Sequence, residues 1–160
     1  MGKPKNLVFI HGLQGDSKGV KATLLRGFFP DLLTPDFTGS LEERMAVLNS
    51  ILKDSSSWII VGSSFGGLMA ALFTCQNPGQ VDKLVLLAPA LIWPDFALNP
   101  PQPVNVPVVV YQGSRDELIP SNEIQRLSEL VFKNLSFHLV DDDHGLYKTV
   151  HAVDWKSLLS

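Results

Sequence analysis

Cysteine is almost missing from this chain. Cys75 is the only one in 160 residues, so an internal disulfide framework and a cysteine-rich metal site are both excluded. Basic runs are missing too. The net charge is -3 and no cluster of Lys or Arg forms the patch that nucleic acid requires. No apolar run approaches the length of a membrane span. Lys3 and Lys5 precede only Leu7-Val8-Phe9-Ile10, too short for the apolar region of a signal peptide. Met1-Gly2 resembles a myristoylation start, but Asn6 stands where Ser or Thr is needed. These absences predict a cytoplasmic protein with no nucleic-acid or membrane partner. Internal repeats, charge blocks and linkers are also lacking, so residues 1–160 are expected to form one domain.

What is present is alternation. Leu7–Ile10, Trp58–Val61, Lys83–Leu87, Val108–Tyr111 and Ser136–Val140 are short apolar runs of strand type. Leu32–Phe37 is a weaker strand, interrupted by Pro35 and suited to a sheet edge. Between them lie helical patterns over Ser17–Phe29, Ser40–Lys53, the apolar stretch after Gly66, and Ser121–Phe132. Gly145–Leu159 is expected to close the chain as a helix. Ser40 and Glu43 have capping-box spacing, and Leu41, Met45, Leu48 and Leu52 share one face. Strands alternating with helices predict an α/β fold, a three-layer αβα sandwich around a mostly parallel sheet of about six strands. One segment breaks the rhythm. Pro89 to Pro107 contains six prolines and reads as an ordered excursion at the carboxyl end of a strand, where open α/β sheets bind ligands.

Gly62-Ser63-Ser64-Phe65-Gly66 has G-x-S-x-G spacing between a strand and a helix. That context places a serine on a tight strand-to-helix turn, with a helix N-terminus beneath it to favour negative charge. A serine hydroxyl is a poor nucleophile without a base. His144 follows the last expected strand, at the same sheet edge as Ser64. His138 lies within that strand, His151 in the terminal helix, and His11 at the end of the first strand, where it is expected to brace the loop that follows. The base in turn needs an orienting carboxylate. Asp116 follows the Val108–Tyr111 strand at this edge. Glu117 and Asp141–Asp143 are its rivals, although the aspartate triplet reads better as a solvated turn. Backbone N–H groups of Phe65 and of Leu13, in the loop after the first strand, are placed to form an oxyanion hole. Trp93 and Phe96 either line an acyl pocket or anchor the excursion. Cys75 reads as core packing, and Asp36 as a turn-former rather than a metal ligand.

These pieces resemble the α/β-hydrolase superfamily, and within it the small, cap-poor serine esterases of the YqiA type. The resemblance rests on Phe9-Ile10-His11-Gly12, Pro35-Asp36-Phe37-Thr38-Gly39, Gly62–Gly67, Gly113–Pro120 and Asp143-His144-Gly145, in the superfamily's order. It implies a Ser64 nucleophile, an Asp116 acid, a His144 base, an acyl-enzyme intermediate, a small-molecule ester or thioester substrate, and no metal or organic cofactor. Two departures stand out. The first expected strand matches the superfamily's third, and the usual cap is reduced to residues 89–107. The cap normally builds the acyl pocket, so substrate choice is left open, and a homodimer using Trp93, Phe96 and the exposed prolines is one way to complete it. An amidase, a carbon–carbon bond hydrolase or a cofactor-free haloperoxidase would use the same three residues. A non-catalytic binding module on the same scaffold is the reading from another class.

Overall fold

Strand residues of this chain sort by alternation onto two apolar faces. Val8 and Ile10 face one side and Phe9 the other. Ile60 opposes Ile59 and Val61, and Leu84 and Leu86 oppose Val85 and Leu87. A strand buried on both faces needs helices on both, and a parallel sheet supplies them. The computed structural model describes residues 6–160. Lys3, Lys5 and the Met1-Gly2 start lie outside the described residues. The sheet has five parallel strands in the order β1 (Asn6–Ile10), β2 (Trp58–Ser63), β3 (Val81–Leu87), β4 (Val104–Gly113) and β5 (Phe132–Val140). Helices α2 (Leu41–Leu52), α3 (Phe65–Gln76), α4 (Pro94–Ala97) and α5 (Ser121–Val131) cover one face. Helices α1 (Val20–Phe28), α6 (Tyr147–Ala152) and α7 (Trp155–Leu158) cover the other. The result is the three-layer α/β sandwich expected from the sequence. No helix among the described residues is long and apolar enough to cross a membrane.

The sixth expected strand is the one that shrinks. Leu32–Phe37 contributes a single parallel bridge, Val8↔Leu33, on the outer edge of β1. Phe9 N–H donates to Leu33 O at 2.9 Å and Leu33 N–H to Leu7 O at 3.0 Å. Pro35 has no N–H with which to extend the ladder. Helix α2 forms as read, with Ser40 as N-cap and a complete capping box with Glu43. Helix α1 starts at Val20 rather than Ser17, because Ser17 is engaged elsewhere. Its N–H donates to Asp36 Oδ1 at 2.7 Å and its hydroxyl to Asp36 Oδ2 at 3.1 Å. The expected terminal helix is two short ones. Val153 is extended, and Asp154 restarts the chain as the cap of α7 by accepting from Ser157 N–H at 3.2 Å.

The proline-rich excursion is more regular than its composition predicts. It contains the one-turn helix α4, and β4 begins at Val104 rather than Val108. Val104, Val106, Val108 and Val110 point inward, while Pro107 lies on the exposed side, beside a register irregularity against β5. Phe96 is fully buried, 6.4 Å from Phe132. It therefore pins α4 to the core. It neither lines a cleft nor forms part of an exposed dimer surface.

The register brings the carboxyl ends of the strands to one edge. Ile10 pairs with Gly62, Ser63 with Leu87, Leu87 with Tyr111, and Gly113 with Val140. The loops that leave this edge carry His11–Gly15, Ser64, Asp116 and His144.

Candidate active site

At Ser64 the chain turns from β2 directly into α3, with φ 54 and ψ -116. A non-glycine residue pays strain of about 1–3 kcal/mol for such a backbone. The turn is held on several sides. Ser64 N–H donates to Leu87 O at 2.9 Å, and Ser64 O accepts from Gly67 and Ala90 N–H, each at 2.9 Å. Gly66 is required by close approach, since a Cβ there would collide with the carbonyls of Ile10 and His11. At Gly62 a Cβ would sit 2.5 Å from Gly66 O. The two glycines thus let β1, β2 and α3 meet with Ser64 at the apex.

Ser64 Oγ lies 3.0 Å from His144 Nε2, and His144 Nδ1 lies 2.7 Å from Asp116 Oδ2. Ionised Asp116 only accepts, so Nδ1 carries the proton and Nε2 is free to accept from the serine hydroxyl. The Asp116 side chain has no exposed surface. Burial alone would raise its pKa, but hydrogen bonds from His144 and from Ile119 and Leu118 N–H outweigh it and hold the carboxyl below its ordinary value. Both N–H groups donate to Oδ1 at 2.9 Å. The group is thus kept ionised beside the imidazole. Chemically, such an arrangement is suited to taking a proton from a hydroxyl and stabilising the imidazolium that results.

The remaining sequence candidates separate clearly. His138 lies exposed on β5 and stacks on Tyr111 with centroids 4.9 Å apart. His151 Nδ1 binds Tyr147 O at 2.6 Å on α6. His11 braces the loop after β1, as expected. Its Nδ1–H donates to Gly12 O at 2.6 Å and its Nε2 accepts from Phe37 N–H at 2.9 Å. A Cβ on Gly12 would stand 3.4 Å from Ser64 Cβ and 4.0 Å from Phe65 N, so this loop abuts the elbow. Phe65 is the first residue of α3, and helix geometry leaves its N–H unpaired within the helix. Trp93 is partly exposed and meets Phe65 edge-on at 5.1 Å. Burial pushes the Cys75 thiol up to about 12, which leaves it unreactive.

Gln112, Lys21 and Arg44 join the site without having been singled out in the sequence, and Asp142 joins it in a role other than the one read there. Gln112 is fully buried and donates through Nε2 to Asp116 Oδ2 at 3.1 Å. It ends the inward series Val108, Val110, Gln112 on β4. Asp142 corrects the solvated-turn reading of the aspartate triplet. It is buried and accepts from Thr149 N–H at 2.9 Å and Thr149 Oγ1 at 2.7 Å, tying the His144 loop to α6. Asp141 and Asp143 remain exposed. Lys21 borders the cleft, with Nζ 5.0 Å over the Tyr147 ring. Burial lowers its pKa, while Asp142 and Asp143 pull the other way. Arg44, on α2, is buried behind the loop after β1.

The Ser64 cleft measures about 520 Å³ and is bordered by Gly12, Leu13, Leu118, His144 and Tyr147. A second hollow of about 750 Å³ continues on the Asp116 side of His144, past Arg115, Glu117 and Asp143.

With this geometry in place, the likeness to known proteins is specific in fold. The chain superposes on alpha/beta hydrolase domain-containing protein 10 from mouse with a TM-score of 0.78 at 20% identity, covering 100% of this chain and 92% of that one. Est1E from Butyrivibrio proteoclasticus, in a structure with ferulic acid bound, gives 0.77 at 16% identity, with 98% and 89% covered. An esterase of Pyrococcus furiosus gives 0.72 at 19% identity, with 99% and 81% covered. No curated protein matches the chain in sequence. The family model of the dienelactone hydrolases matches residues 20–145, most of the chain and all three of Ser64, Asp116 and His144. The chain belongs to the dienelactone hydrolase family, hydrolases of the α/β-hydrolase fold.

Proposed function

We propose that the chain is a serine hydrolase of small carboxylic esters or thioesters that works through an acyl-enzyme on Ser64. The observation that carries this reading is the unbroken hydrogen-bond chain from Ser64 Oγ through His144 to buried Asp116, with the serine on a positive-φ turn. Ester chemistry is favoured by the family, whose name is that of a lactone hydrolase, and by the Pyrococcus furiosus esterase among the structural neighbours.

In the proposed reaction Ser64 Oγ attacks the substrate carbonyl while His144 Nε2 takes its proton. The N–H groups of Leu13 and Phe65 receive the oxyanion. Collapse of the tetrahedral adduct breaks the bond to the alcohol or thiol, and His144 returns the proton to that leaving group. Water then attacks the acyl carbon as His144 Nε2 takes its proton, and collapse of the second adduct breaks the bond to Ser64 Oγ, which regains that proton from His144 as the acid leaves. Asp116 stays ionised throughout and orients His144.

The test is fluorophosphonate labelling of wild type and Ser64→Ala, with a panel of short esters and thioesters. Wild type should label at Ser64. Ser64→Ala should not label, and its kcat should fall by at least about 10⁴-fold. Labelling that persists in Ser64→Ala would sink the assignment. A folded wild type that neither labels nor turns over any ester would favour a non-catalytic binding role.

A further inference from the structure

Arg44 is the least explained buried group in the molecule. It is 5% exposed, yet it makes no ion pair with a carboxylate among the described residues. Its Nε donates to Gly39 O at 3.0 Å and its Nη2 to Leu13 O at 3.5 Å. Its Cζ lies 5.5 Å from the centre of the Phe65 ring. Its Nη1 is buried with no partner. A buried guanidinium lacking a counter-ion is costly, and a well-packed apolar side chain often serves stability as well or better. A purely structural role therefore accounts poorly for an arginine here.

Its contacts point to a different role. Two residues proposed as oxyanion donors, Leu13 and Phe65, are both contacted by the Arg44 guanidinium. Leu13 is held from both sides. The carbonyl of the preceding peptide, Gly12 O, accepts from His11 Nδ1–H and from Gly15 N–H at 3.1 Å. Because a trans peptide points its N–H opposite to its carbonyl, those bonds fix the direction of Leu13 N–H. The following peptide is held at Leu13 O by Arg44.

We propose that Arg44 is a positioning residue for the oxyanion hole. It contacts the loop at Leu13 O, packs its cation on the Phe65 ring, and places an unneutralised positive charge behind both donors. This inference rests on the acyl-enzyme reading above. The charge gains its compensation when the substrate carbonyl becomes an oxyanion, so the effect falls on the transition state more than on substrate binding.

The test compares Arg44→Met and Arg44→Lys with wild type, using p-nitrophenyl butyrate as substrate. Butylboronic acid serves as mimic of the tetrahedral adduct and p-nitrophenyl butyl ether as mimic of bound substrate. Arg44→Met should remain folded with an unchanged or higher Tm, while kcat falls roughly 10- to 100-fold and KM moves less than about 3-fold. Boronate affinity should fall with kcat, and ether affinity should hold. Arg44→Lys keeps the charge but loses the fork, and should recover part of the loss. A folded Arg44→Met with kcat within about 3-fold of wild type overturns the proposal. So does an equal loss of boronate and ether affinity. If Arg44→Met does not fold, the same comparison on Arg44→Lys decides, and wild-type kcat and boronate affinity there would overturn the proposal. Fluorophosphonate labelling of wild-type Ser64 is run alongside. Its absence removes the acyl-enzyme reading, and this inference with it, whereas normal labelling with indifferent Arg44 variants removes this inference alone.

Discussion

Ser64 sits in a backbone conformation that only glycine adopts without strain, with φ 54 and ψ -116. The fold tolerates this because the hydrogen bonds of Leu87, Gly67 and Ala90 to the serine backbone leave the turn no other path. Strain of about 1–3 kcal/mol is thus stored at the residue proposed to do the chemistry. Ser64→Gly should relieve it. After the greater freedom of an unfolded glycine is subtracted, the variant should be more stable than wild type by about 1 kcal/mol. In a chain of this size that corresponds to a rise in Tm of about 2–4 °C. Ser64→Ala should show no such gain, because its Cβ keeps the strain. Calorimetry of the two variants checks this, and equal Tm values would mean the turn is not strained. At this scale the sequence was legible where spacing and chemistry coincide. The G-x-S-x-G pattern marked Ser64, and the strand-end positions marked Asp116 and His144. Arg44 and Gln112 were hidden for a common reason. Each sits within an otherwise apolar pattern, Arg44 three residues after Leu41 and Gln112 two after Val110. A single polar residue in such a pattern reads as noise until its partner is seen: Arg44 meets Leu13 from a distant segment, and Gln112 meets Asp116 only because the loop after β4 folds back.

Helix α6 has only six residues and no side-chain cap at its own N-cap position, where Leu146 takes a left-handed conformation. Its first turn is satisfied from outside by Asp142, five residues before the helix begins. The same aspartate accepts from Asp143 N–H at 2.8 Å, so one carboxylate fixes both ends of the loop that carries His144. Burial would raise the Asp142 pKa, but the hydrogen bonds from Thr149 and Asp143 outweigh it and depress the carboxyl below its ordinary 3.8. The fold therefore favours the ionised form. That stabilisation is fully present above the unfolded value near 3.8 and is lost as pH falls through the lower folded value. Asp142→Ala leaves buried donors unpaired and should cost about 1–3 kcal/mol at pH 7. The gap between variant and wild type should narrow below pH 3.8. Urea unfolding at neutral and acid pH measures both, and a gap unchanged by acid would contradict the assignment. Elements themselves were legible wherever pattern and tertiary context agreed, as with α2, which carries its own capping box. They were not legible where context decides. Leu32–Phe37 has strand-like residues but only one neighbour to pair with and a proline in the way. The terminal segment has helical spacing, but Asp154 caps a new helix and interrupts it. In β4, inward valines override the proline signal, because Pro107 falls on the exposed side.

For the molecule as a whole, the question is what the proline-rich excursion leaves uncovered. The sheet and both helical layers are those of the α/β-hydrolase fold, and residues 89–103 cross the carboxyl edge with one short helix pinned by buried Phe96. They line neither the Ser64 cleft nor the hollow beside His144. The Ser64 cleft is instead rimmed by side chains that stand well out in solvent, with Leu13 at 50%, Leu118 at 72% and Tyr147 at 53% exposure. This shape has a consequence for chain-length preference. Each methylene buried from water is worth about 0.8 kcal/mol, or about 4-fold in kcat/KM when the burial is complete. An enclosed acyl pocket would therefore give a steep rise from acetyl to octanoyl esters. An open cleft bordered by exposed rims buries little of each added methylene. We expect kcat/KM for p-nitrophenyl esters to peak at short chains, to change by less than about 2-fold per methylene beyond butyryl, and to decline for long ones. The measurement is a series from acetate to laurate, kept below micelle concentrations. A sustained rise of about 4-fold per methylene through octanoate would show that the acyl chain is enclosed after all. If that rise were to steepen with protein concentration, the missing wall would be coming from a second copy of the chain.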